Sequence, residues 1–258
     1  MGSQVTVLGG CGAWPEPGRA CSGFLLEHDG FRVVLDLGYG TLSRLLAQLE
    51  SVTAVGLDAV VATHDHPDHI VDLHGLFRAR LYGGHEDRRI GLYAPEAVLE
   101  RVASLEDSDR SLVEGVFAWE PLPAGPYEVG PFRLESRPLP HYVPNAGVRL
   151  STPGVTVAYT GDTGPDSALA ELGRDADLYI VDSTDRLQQA DTPPSPPATA
   201  MNLTSREAGE AAAAARAHRL MLTHFWPGNN RERSRSAAAE AFSGEILIAD
   251  EGAVVHLR

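Results

Sequence analysis

Three histidines and two aspartates fall within six consecutive positions of this chain, His64-Asp65-His66-Pro67-Asp68-His69. Histidines at i and i+2 of an extended segment point to the same side. An Asp and a His at the start of a following helix can turn back toward the same place. Imidazole and carboxylate groups are zinc ligands at about 2.0–2.2 Å. Packing does not call for histidines at this density, so the run predicts a metal site. His141, Asp162 and His224 each stand just after an apolar or β-rich run, as His64 does. Strand ends at one edge of a sheet converge, and α/β folds place their chemistry there. Together with His64, His66, Asp68 and His69 they complete a set of seven ligands for two metals.

The elements that must carry these residues follow from patterning. Val5–Leu8, Gly23–Glu27 and Phe31–Leu37 read as strands, the last two joined through the turn His28-Asp29-Gly30. Thr41 offers a cap to a helix through Leu42, Leu45, Leu46 and Leu49. Leu57–Thr63 reads as a buried strand running into His64. Ile70, Leu73, Leu76 and Phe77 then space as a helix, and Pro95 starts another at its first turn. Strand patterning resumes from Tyr127, with runs ending at His141, Asp162, Asp182 and His224. Thr204-Ser205-Arg206-Glu207 is a capping box for an Ala-rich helix to about Ala217. A last helix, about Arg231 to Phe242, and two strands close the chain. The halves look alike, and no linker separates them. The reading is one domain over residues 1–258, α/β in class, with two sheets inside and helices outside.

The pattern H-x-H-x-D-H, a later His, Gly161-Asp162-Thr163-Gly164 and Thr223-His224 resembles the metallo-β-lactamase superfamily, in particular its ribonuclease Z and cyclic phosphodiesterase-like branch. Leu8-Gly9-Gly10 and Asp36-Leu37-Gly38 support it. The resemblance covers nearly the whole chain and implies the four-layer αββα sandwich. It implies that His64, His66 and His141 hold one metal, that Asp68, His69 and His224 hold the other, and that Asp162 bridges them. Asp36 would be structural, near the histidines. The implied cofactors are two Zn(2+), with Mn(2+) an alternative, and a bridging hydroxide as nucleophile. Asp68 is the implied catalytic residue, orienting that hydroxide or accepting its proton; Asp65 instead fixes the loop. The implied activity is hydrolysis of small or cyclic phosphodiesters. Alternatives are a lactone, thioester or lactam hydrolase of the same fold, a tRNA 3′ endonuclease, and a metal-binding module without turnover.

Departures from ribonuclease Z favour a small substrate. Its tRNA-gripping arm would lie between His141 and Asp162, where only twenty residues intervene here. Asn202 stands where that family has a His before its late helix, and Asp182 stands for its partner Glu. Asn202 and His74 are candidate substrate contacts. His85, Arg88 and Arg89 read as a solvated turn, and Trp226-Pro227 as a candidate pocket rim. The Pro- and Gln-rich stretch 186–200 reads as a mobile loop able to cover a substrate.

Composition sets outer limits. A chain of 258 residues, 43% hydrophobic and 22% charged, can bury a sizeable core, which excludes disorder as a whole-chain state. The net charge of −14, with all 21 basic residues Arg, disfavours a large nucleic-acid surface. The partner expected is a small-molecule phosphodiester, with no membrane and with a homodimer left open. Cys11 and Cys21 are too few for a disulfide framework or a cysteine-built zinc site and read as small buried residues. No apolar run is long enough to span a membrane and no signal peptide is visible, so the expected location is cytoplasmic.

Overall fold

The structure, a computed structural model, describes residues 2–84, 89–106, 110–188 and 201–257. Two seven-stranded sheets form its centre. Chain order begins with β1 (Ser3–Gly9), β2 (Gly23–His28), β3 (Phe31–Leu35), α1 (Thr41–Gln48), β4 (Ala59–Val61), α2 (Pro67–Tyr82), β5 (Ile90–Ala94), α3 (Glu96–Ser104), α4 (Arg110–Val116) and β6 (Phe117–Pro121). It continues with β7 (Tyr127–Val129), β8 (Phe132–Leu139), β9 (Asn145–Ser151), β10 (Thr156–Tyr159), α5 (Ala168–Leu172), β11 (Leu178–Asp182), α6 (Ser205–Ala215), β12 (Arg219–Thr223), α7 (Arg231–Ala239), β13 (Glu245–Ile248) and β14 (Val254–Leu257). The first sheet runs β14-β1-β2-β3-β4-β5-β6 and the second β13-β12-β11-β10-β9-β8-β7. The C-terminal strand thus pairs antiparallel with the N-terminal one and ties the last segment to the first sheet.

Period-2 alternation assigns the faces. In the first sheet Phe24, Leu26, Val33, Leu35 and Val61 join a core shared with Phe132, Leu134, Val148 and Val157 of the second sheet. Their neighbours Leu25, Val34 and Val60 turn the other way, onto Leu45, Ile70, Leu73 and Phe77 of α1 and α2. On the far side the second sheet meets the alanines of α6, where Ala208, Ala211, Ala212 and Ala215 are buried. Helices therefore cover both outer faces of a two-sheet sandwich, the αββα arrangement.

The structure corrects several boundaries. Thr41 does not cap α1. Gly40 precedes the helix in a left-handed conformation, and Thr41 is fully buried, its hydroxyl donating to the Gly38 carbonyl. The free Leu42 N–H is taken instead by Asp72 of α2, at 2.8 Å. Pro95 sits just before α3 in an extended conformation rather than in its first turn. The strand expected over 57–63 narrows to β4, because the Thr63 N–H leaves the sheet to bond Asp36. The Ala-rich helix ends at Ala215, where Arg216 turns left-handed, and α7 ends at Ala239. Strands β5 and β6 and helix α4 carry no pattern strong enough to have been read from sequence. Of the Pro- and Gln-rich stretch, residues 189–200 lie outside the described residues, as do His85 and Arg88.

Candidate metal centre

Each ligand candidate stands at the end of a strand or the start of a helix. His64 and His66 follow β4 in extended chain. Asp68 and His69 fall in the first turn of α2, which Pro67 opens and whose N-cap position is His66. His141 follows β8, Asp162 follows β10 and His224 follows β12. Their side chains meet in two groups: His64, His66, His141 and Asp162 in one, and Asp68, His69, Asp162 and His224 in the other. Within each group one ligand atom per residue lies within 4.8 Å of all the others, and Asp162 belongs to both. The structure brings together all seven of the metal-ligand candidates named from sequence.

The convergent atoms are selected by what holds the opposite side of each ring. His69 donates Nδ1–H to Asp36 at 2.7 Å, and His141 donates Nδ1–H to the Met201 carbonyl at 2.8 Å. The Thr63 hydroxyl donates to Asp36 and so accepts from His64 Nδ1, 3.0 Å away. The Thr184 hydroxyl donates to Asp182 and accepts from His224 Nδ1 at 2.9 Å in the same way. Two carboxylate–threonine–histidine relays therefore fix two rings, and Asp36 serves both groups, one directly and one through Thr63. In all four histidines Nε2 is left facing inward. Such outer partners set the tautomer and raise ligand basicity.

The donor set fits a pair of divalent cations. His69 Nε2 and Asp162 Oδ1 are buried 3.1 Å apart, yet neither makes a well-aligned hydrogen bond with the other or with any other described atom, which is costly unless a cation between them satisfies both. The electrostatics ask for positive charge at the second group. Burial alone would lower His69 and His224, but Asp162, with Asp36 and Asp68 around His69 and with Asp182 and Asp68 around His224, outweighs it. His69 is held well above its usual range and His224 is raised to about 10. Those protons stand in for a cation, which would displace them on binding. In the first group burial dominates and pushes His64 well below its usual value, leaving the neutral imidazole a metal needs. Burial pushes the Asp68 and Asp162 carboxyls up, but the neighbouring histidines prevail and hold both below the usual carboxylate range.

Backbone approach completes the wall, and sequence reasoning missed it. The Ala13 N–H donates to Asp68 Oδ2 at 2.6 Å. A Cβ on Gly12 would lie 2.7 Å from the His224 ring, and one on Gly38 would collide with the Asp68 carbonyl. The only sequence signal was the run of glycines at the end of β1. Asp36 and His224 are non-glycine residues with φ of 55° and 58°, an uncommon conformation sustained by the bonds their side chains make.

The remaining candidates divide. Asn202 reaches the site's edge and donates Nδ2–H to Asp182 at 3.0 Å. His74 does not: five residues beyond His69 it has turned about 140° round the helix, and it pairs with Glu106 at 2.7 Å. Asp65 accepts from Arg101 at 2.7 Å and anchors the ligand loop to α3. Arg89 bonds the Glu114 carbonyl. Cys11 and Cys21 are buried free thiols, and burial raises Cys11 to about 11.

Fold and site together define a metallo-hydrolase with the metallo-β-lactamase architecture. Residues 31–225 match the Beta-lactamase superfamily domain, and the chain belongs to that superfamily. It is 31% identical to the probable metallo-hydrolase YhfI of Bacillus subtilis (strain 168), over 97% of this chain and 98% of that protein. The crystal structure of Bacillus subtilis YhfI superposes with a TM-score of 0.85, at 29% identity, covering 99% of this chain and all of that one. A ribonuclease Z of Kineococcus radiotolerans is 29% identical over 86% of this chain and 83% of its own. No helix among the described residues is long and apolar enough to cross a membrane.

The relay geometry carries a prediction. Asp36→Asn disturbs one ligand in each group, so metal affinity is expected to fall about 10–100-fold at both positions. Competition with a chromogenic chelator measures this. Weakening at a single position would confine Asp36 to its direct partner His69.

Proposed function

We propose that this protein is a dinuclear zinc-dependent phosphodiesterase acting on small or cyclic phosphodiesters. The observation that carries the reading is the pair of four-residue groups sharing Asp162. His64, His66, His141 and Asp162 would hold one cation, and Asp68, His69, His224 and Asp162 the other, with Mn(2+) an alternative to Zn(2+). Bound there, the cations would supply Lewis acidity toward the phosphoryl oxygens and an activated water. The protein's own groups do the rest. Asp68, kept ionised by His69 and His224 and gripped by the Ala13 N–H, orients the nucleophile. The low basicity of its carboxylate suits it to orienting better than to storing a proton. Asn202, fixed by Asp182, offers the substrate a neutral polar group and has no titratable proton to give a leaving alkoxide. That matches substrates whose leaving group departs readily, such as a strained cyclic ester.

Substrate size follows from what lies between the ligands. The segment from His141 to Asp162 is filled by β9 and β10 and their turn, with no arm to grip tRNA. A net charge of −14 weakens each phosphate contact a long polyanion would need. The similarity to ribonuclease Z nevertheless favours a second reading, tRNA 3′ cleavage, which one assay series separates. At equal enzyme concentration and moderate salt, bis-p-nitrophenyl phosphate and small cyclic nucleotides are expected to turn over, while precursor tRNA, a thioester and a lactone are not. Site-specific tRNA cleavage without small-substrate turnover, or preference for the thioester or lactone, would overturn the reading.

A further inference from the structure

The loops that hold the second group of ligands also carry an aromatic edge that metal chemistry does not use. Gly12 packs on the His224 ring and Ala13 bonds Asp68, so Trp14, the next residue, is anchored beside the site. The residue is 49% exposed. Trp226, two residues after His224, meets it edge-on, with ring centroids 5.0 Å apart at 78°. Arg186, two residues after Thr184, lays its guanidinium over the Trp226 ring, 4.7 Å from the centroid. All three thus adjoin residues that position His224 or Asp68.

We propose that Trp14, with Arg186 resting on Trp226 beside it, forms a stacking subsite for a nucleobase. The substrate of the site is then a nucleoside phosphodiester; this rests on the phosphodiesterase reading above. In an edge-on pair only one ring contributes a face, and Arg186 already covers a face of Trp226. About half of Trp14 stays open to solvent, held in place by a backbone that cannot move without disturbing Asp68. Bases stack on such a platform with little regard to their identity, because every base has a π-face. Arg186 adds the matching charge. Among the described residues it makes no hydrogen bond or ion pair, so its donors remain open to a phosphate or a base carbonyl. An alkyl phosphodiester gains nothing from an indole face.

The test compares two esters with the same leaving group, the p-nitrophenyl ester of thymidine 5′-monophosphate and methyl p-nitrophenyl phosphate. In Trp14→Ala the ratio of their kcat/KM values is expected to fall about tenfold. Trp14→Phe should restore most of it. Tyr142→Ala, which removes the exposed ring beside His141, should leave the ratio unchanged. An unchanged ratio in Trp14→Ala, or a selective loss in Tyr142→Ala, overturns the subsite. If the wild type hydrolyses neither ester, the phosphodiesterase reading fails, and quenching of tryptophan fluorescence by adenosine 5′-monophosphate decides the subsite by itself. Saturable quenching with affinity about tenfold weaker in Trp14→Ala supports it; equal affinities, or no saturable quenching, dismiss it.

Discussion

Asp162→Asn is expected to lower turnover by about 10³-fold while leaving the fold intact. Asp162 is the one residue common to both ligand groups. Its Oδ1 lies 3.1 Å from His69 Nε2; its Oδ2 lies 3.1 Å from His224 Nε2 and 3.5 Å from His141 Nε2. Asparagine keeps the shape but removes the charge that would balance two dications in the proposed paired site, and it would turn an NH₂ toward their positions. Metal-assisted charge stabilisation contributes several kcal/mol to such reactions. Losing about 4 kcal/mol corresponds to the thousandfold drop. The side chain lies in the loop after β10 and supplies no apolar packing, so cooperative thermal unfolding should persist. Steady-state kinetics and a melting curve check both halves. Wild-type rates would mean that nothing bridges through Asp162.

How far the chain could be read before folding depends on where its chemistry is written. The run from His64 to His69 concentrates five polar ligand-type side chains in one place, so it was legible outright. His141, Asp162 and His224 carry little signal singly; each became legible because a strand delivers it to the same edge. The two-sheet sandwich followed from alternation at positions such as Val33, Val34 and Leu35, which split between the two cores. What stayed hidden is written in backbone atoms. The grip of Ala13 on Asp68 and the close packing of Gly12 on His224 use an N–H and a missing Cβ, which no side-chain pattern reports. The capping of α1 by Asp72 and the pairing of His74 with Glu106 are contacts between separate elements, settled only by tertiary packing. The Thr63 and Thr184 relays likewise look like ordinary strand-end threonines until their partners are in place.

His66→Ala should empty one cation position and spare the other. His66 presents Nδ1 to the first group, 3.1 Å from both His64 Nε2 and His141 Nε2, and it does not belong to the second. Without it His64, His141 and Asp162 remain, two nitrogens and a shared carboxylate, short of the four ligands a tetrahedral site prefers. The second group keeps all four of its residues. Turnover is expected to fall at least about 10²-fold, because the proposed mechanism would lose one of two cations acting on the same phosphoryl group. Rates matching the wild type would show that the first group takes no part in hydrolysis.

Metal analysis of purified, zinc-reconstituted protein tests the paired site most directly, with wild type and both variants measured side by side. Close to two zinc ions per chain are expected in the wild type, close to one in His66→Ala, and loss of the paired occupancy in Asp162→Asn. A wild type that retains no metal after reconstitution, or a single ion indifferent to His66, would rule out the paired site.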